Sequence, residues 1–126
     1  MNISERATAN IVPMQRDASD LNRLREEWRI LAKQWVQADS RVDELEEGRK
    51  MLLAELKLAL IKAGSKLGAA EDEARISQQF KNYVRKYHDA KRVANDLRID
   101  MKNAELAYWE RNNAEATERS ERRMSR

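Results

Sequence analysis

Residues 21–63 read LNRLREEWRILAKQWVQADSRVDELEEGRKMLLAELKLALIKA, and the spacing inside this stretch decides the fold. Steps of three then four residues run through Leu21, Leu24, Trp28, Leu31, Trp35, Ala38, Val42, Leu45, Arg49, Leu52, Leu56, Ala59 and Ala63, and twelve of the thirteen are apolar. A repeat of 3.5 residues keeps one apolar seam turned toward a partner helix, which marks a coiled coil rather than a solitary surface helix. The spacing predicts a first helix over about 15–63, on the order of 70 Å long at roughly 1.5 Å per residue. Gly48 falls inside it and costs about 1 kcal/mol relative to Ala. Leu45 and Leu52 nevertheless stay seven residues apart across Gly48, so the seam keeps phase and no break is expected there.

Gly64-Ser65-Lys66-Leu67-Gly68 separates this segment from a second one and reads as the turn, 64–68. Gly64 can take the positive φ of a helix C-cap, and Glu71, Asp72 and Glu73 put negative charge at the positive end of the next helix dipole. After the turn the same spacing returns through Ile76, Phe80, Tyr83, Tyr87, Ala90, Ala94, Leu97, Met101, Ala104 and Tyr108. A second helix is therefore expected over about 69–118. Folding the chain about residue 66 brings Trp28 near Ala104, Trp35 near Leu97, Ala38 near Ala94, Val42 near Ala90 and Leu52 near Phe80, so that large residues mostly meet small ones. The expected fold is all-α: an antiparallel two-helix hairpin forming a single domain over 13–126. A flexible arm, 1–12, leads to Pro13, which suits a helix's first turn, and a frayed basic tail, 119–126, ends the chain.

One segment exceeds what a lone hairpin needs. Residues 51–61, MLLAELKLALI, carry only Glu55 and Lys57 as polar side chains. Leu53 and Leu60 widen the seam while Met51 and Leu58 point away from it, and with Ile61 they make an apolar patch of the kind that marks a protein contact. Two hairpins are expected to pair through this tip as a homodimer, giving a four-helix arrangement.

Composition agrees with long helices and narrows the chemistry. The 126 residues include 37% charged side chains with 3 Gly and 1 Pro, and 25 basic residues against 22 acidic ones leave +3. Without Cys there are no disulfides, thiolate sites or thiol nucleophiles. The opening MNISERATAN lacks the pattern of a signal peptide and no apolar run is long enough to span a bilayer, so a soluble protein of the cytoplasm, without membrane contact, is expected. His88 is the single histidine and no nucleophile pattern accompanies it; it reads as a surface residue. One His without Cys makes no transition-metal ligand set, and GSKLG follows no strand, so it is a turn and not a phosphate loop. No enzyme activity, cofactor, metal or small-molecule substrate is expected.

Three features remain as candidate sites. Arg49, the one charged seam position, faces Tyr83 and Tyr87 in the folded alignment, where a cation over aromatic rings can fix the register of pairing. Trp109 is off the seam, free to anchor a partner or to pack beside Leu24. Between Arg75 and Lys102 there are eight basic and three acidic residues, and Lys81, Arg85, His88, Arg92 and Lys102 line one outward stripe along which phosphates could be tracked. Arg119, Arg122, Arg123 and Arg126 form a second basic cluster. The bland reading of both is a solvated coiled-coil face.

The stretch from Ile76 to Arg123, ISQQFKNYVRKYHDAKRVANDLRIDMKNAELAYWERNNAEATERSERR, has an F-x-x-Y start, an Ala-rich middle ending at Asn95, a Tyr-containing seam at Tyr108 and a Glu/Arg tail. In these it resembles small helical proteins encoded by tailed bacteriophages and prophages, often among early genes for recombination and replication. The resemblance implies a phage accessory role in the host cytoplasm and carries over no catalytic or binding residue. Two functions are therefore expected of the chain. The first is a non-catalytic, oligomeric helical-hairpin interaction protein that binds another protein, as a phage accessory or modulator. The alternative is a DNA- or RNA-binding accessory in recombination or replication that uses the basic outer face of the second helix.

Overall fold

A computed structural model of the protein describes residues 13–125. The expected arm, 1–12, and Arg126 lie outside them. Every regular element among the described residues is helical: α1 is Pro13–Lys62, α2 is Leu67–Ile76 and α3 is Gln78–Met124. Contacts divide the chain into two compact units, Met1–Lys33 with Ile99–Arg126 (unit 1) and Gln34–Arg98 (unit 2).

α1 runs unbroken through Gly48. Its end is a Schellman motif. Ser65 N–H donates to Leu60 C=O at 3.0 Å and Gly64 N–H to Ile61 C=O at 3.1 Å, closing the last carbonyls. Gly64 carries the required positive φ, +107°, the residue assigned to that task by the sequence.

Beyond the turn the structure corrects the expected second helix. It begins earlier, at Leu67, and it is interrupted at Ser77, whose ψ of 148° is extended. The cause is the serine side chain. Ser77 Oγ donates to Ala74 C=O at 2.7 Å and accepts from Phe80 N–H at 3.2 Å, so one hydroxyl closes α2 and caps α3. An extended residue resets helical phase, and the seam does not continue backward from Phe80 to Ile76. Ile76 is 68% exposed, whereas Ala70 and Ala74 are fully buried in its stead. Glu71, Asp72 and Glu73 sit beyond the first turn of α2, which holds no acidic residue. Glu71 pairs with Arg75 at 3.0 Å and Glu73 accepts from Ser65 Oγ at 2.8 Å.

The C-terminal end is corrected as well. α3 continues to Met124, through most of the segment expected to fray, and its last turn carries Arg122 and Arg123. Cations there complement the negative end of the helix dipole.

In unit 2, Val42 and Leu45 of α1 are buried with Tyr87 and Ala94 of α3, and Ala38, Tyr83 and Ala90 pack against them. Phe80 is buried too. Small residues thus lie among the large ones, as dense packing requires. In unit 1, Met101 is buried and Trp28 packs its ring 5.7 Å from that of Tyr108. Trp28 was aligned with Ala104. Its ring contact lies one turn further along α3, where an aromatic partner offers more area than a methyl group.

If the Ser77 hydroxyl holds the break, Ser77→Ala should lower unfolding free energy by about 1 kcal/mol, the usual cost of losing an N-cap, in a denaturant titration followed by circular dichroism. Unchanged stability would show that the interruption owes nothing to that side chain.

Candidate functional site

One close contact between α1 and α3 is built on a glycine. Tyr83, half-buried on α3, donates its hydroxyl to the Leu45 carbonyl in the middle of α1 at 2.9 Å. It reaches that carbonyl because Gly48 has no side chain: a Cβ at Gly48 would collide with the Tyr83 hydroxyl and lie 3.2 Å from the ring carbon that bears it. Gly48 is therefore the socket for Tyr83. The seam spacing shows that the helix tolerates Gly48 but not why it is there.

Arg49 follows directly. It was expected to face both Tyr83 and Tyr87, and its guanidinium carbon lies 5.1 Å from the centroid of the Tyr87 ring. Lys91 Nζ lies 5.6 Å from the same ring. Arg49 is half-buried and Tyr87 buried, so this cation–π contact is partly shielded from water and belongs to the stronger part of its usual range.

The residues named for a partner interface all fall in unit 2. Met51 and Leu58 are 64% and 54% exposed, while Leu53, Leu60 and Ile61 are half-buried. Two further exposed apolar side chains on α2 join them, Leu67 at 72% and Ile76 at 68%. Sequence reading placed Leu67 in the turn and Ile76 on the seam. Only the break at Ser77 turns Ile76 outward, and the sequence signal for it was the serine three residues before Phe80.

The basic stripe divides between the units. Lys81, Arg85, His88 and Arg92 are exposed on α3 in unit 2; Lys102, also exposed, belongs to unit 1 and lies 3.7 Å from Glu105. Arg92 lies 3.4 Å from Asp89. The imidazole of His88 rests 5.4 Å from the Tyr87 ring. Trp109 of unit 1 is exposed and packs edge-on to Trp28 at 6.5 Å.

A hydrogen bond from Arg75 holds the Glu71 carboxyl below its usual range, and one from Arg29 does the same for Glu26. Both are exposed pairs within one helix, worth little to stability. Among the described residues no group of three or more His, Cys, Asp or Glu side chains is arranged to hold a metal ion. No described helix is long and apolar enough to cross a membrane. In comparisons with known proteins, no family model, no curated protein and no solved structure matches the chain.

The Tyr83 socket has a measurable signature. Gly→Ala inside a helix normally raises stability by about 1 kcal/mol, but Gly48→Ala should lower it, because the Tyr83 hydroxyl must leave Leu45. In a Tyr83→Phe background, which itself loses about 1 kcal/mol, the penalty of Gly48→Ala should shrink. A Gly48→Ala protein more stable than the wild type in chemical denaturation would contradict the close fit.

Proposed function

We propose that this chain is a non-catalytic interaction protein whose long helices form an antiparallel hairpin coiled coil. It pairs with a second copy in a four-helix arrangement and presents its turn end to another protein. The observation that carries this reading is the set of large apolar side chains left in water on the two helices flanking the turn: Met51, Leu58, Leu67 and Ile76. Exposed apolar surface of this density is costly in isolation and is the usual mark of a protein contact. Arg49 over Tyr87 serves this assembly by fixing the register in which the helices meet. The resemblance of residues 76–123 to phage-encoded helical accessory proteins supports an accessory or modulatory role in the host cytoplasm.

A second reading, a DNA- or RNA-binding accessory, is favoured by Lys81 and Arg85. Both are exposed and pair with no acidic side chain among the described residues, and each could meet a phosphate.

Met51→Glu with Leu58→Glu should lower the mass of the assembly or abolish capture of its protein partner while helicity is retained. Unaltered mass and capture would remove this surface from the function. Were nucleic acid the ligand, binding would weaken steeply with rising salt and fall on changing Lys81 and Arg85 to Glu; binding indifferent to both would exclude that reading.

A further inference from the structure

The two long helices that meet in unit 2, α1 and α3, carry opposite charge on the side that follows the seam, and no ion pair joins them there. Asp39 and Glu46 directly follow the seam residues Ala38 and Leu45, Asp43 lies one turn beyond Asp39 along the same side of α1, and Glu47, next to Glu46, turns further outward. On α3, Lys91 likewise follows the seam residue Ala90, and Arg85, His88 and Arg92 continue its side. In an antiparallel pair, positions that follow the seam in this way lie on one broad face. That face is acidic along α1 and basic along α3. Arg41 and Glu44 lie toward the other side, as does Asp89, while Lys50, one turn beyond Glu46, ends the acidic row and pairs with Glu47.

Opposite rows this close would be expected to pair with each other. They do not. Every ion pair of unit 2 joins residues three or four apart on one helix: Arg41 with Glu44, Lys50 with Glu47, Arg75 with Glu71 and Arg92 with Asp89. Lys91 turns instead to the Tyr87 ring. The acidic row then continues every seven residues toward the turn as Leu53 and Leu60, so charge gives way to half-buried apolar surface along the same line.

We infer that the occupant of this face is a second copy of the chain, related by a two-fold axis parallel to the helices. The inference rests on the hairpin pairing proposed above. Such an axis sets α1 of one copy against α3 of the other at equal height, so Asp39, Asp43, Glu46 and Glu47 meet Arg85, His88, Lys91 and Arg92 twice over in a self-complementary interface. An axis perpendicular to the helices would set α1 on α1, acid on acid, and is disfavoured by the same charges. Leu53 and Leu60 of the two copies come together at the turn end and supply apolar contact. The charges select orientation and partner, as rim charges generally do.

The test is a charge swap read as mass in solution by sedimentation across a range of protein concentrations. Wild type should show twice the chain mass. Asp43→Lys with Glu47→Lys, and separately Arg85→Glu with Arg92→Glu, should each fall to the single-chain mass, because both contacts of either homodimer become like-charged. Mixed in equal amounts, the two variants should regain twice the chain mass with one of each chain, since both contacts of the mixed pair are again opposite. Circular dichroism of each variant, and the rescue itself, separate this from a failure to fold. Variants that keep the double mass, or a mixture that stays at single mass, overturn the inference. If those variants remain dimeric while Met51→Glu with Leu58→Glu does not, this face falls and the proposed pairing function stands; a single-chain wild type removes both. Loss of binding to a duplex DNA oligomer by the Arg85→Glu, Arg92→Glu variant at unchanged double mass assigns the basic row to nucleic acid and likewise overturns it.

Discussion

The contact of the Tyr83 hydroxyl with the Leu45 carbonyl, over a glycine that leaves it room, is the constraint on which unit 2 depends. A seam of leucine, valine and alanine attracts but registers poorly, since sliding by one heptad replaces one apolar contact by another. A polar group that must find one carbonyl, beside the one position without a side chain, has a single solution. The cluster of Val42, Leu45, Tyr87 and Ala94 then closes around that solution, and Arg49 over the Tyr87 ring holds it from the side. Polar specificity and apolar burial are thus joined at adjacent residues.

That register has consequences for the surface. It fixes which charges of α1 stand level with which charges of α3. The local choice at Ser77 has a comparable reach. One hydroxyl shared between Ala74 and Phe80 rotates α2 out of phase, buries Ala70 and Ala74, and turns Ile76 to water. Surface available for a partner at the turn end is therefore a by-product of how the backbone is capped.

Much of this was readable from residue spacing, for identifiable reasons. The 3.5-residue repeat from Leu21 to Ala63 is long and nearly uninterrupted, so α1 and the neutrality of Gly48 toward its phase followed directly. Gly64 as a C-cap followed from backbone sterics alone. Two features did not follow. A serine within an otherwise helical pattern is ambiguous, because the same side chain is tolerated in a helix and able to cap one; periodicity carried Ile76 into the seam and missed the break. The tail over 119–126 was expected to fray because no apolar seam supports it, whereas side-chain bonds such as Thr117 to Asn113 and a basic last turn accompany the helix to Met124. Of the candidate sites, Arg49 was legible as a lone charge in the seam. The role of Gly48 as a socket was not, because it depends on a residue thirty-five positions away.

The most direct test of the account is whether α1 meets α3 of its own chain in the register set by Tyr83. The natural sequence has no cysteine, so Ala38→Cys with Ala94→Cys introduces the only two thiols, both at the Val42–Tyr87 cluster. On mild oxidation the account predicts rapid closure of a disulfide within a single chain, seen by mass under denaturing, non-reducing conditions. Failure of the two thiols to join, or their joining only between chains, would contradict it.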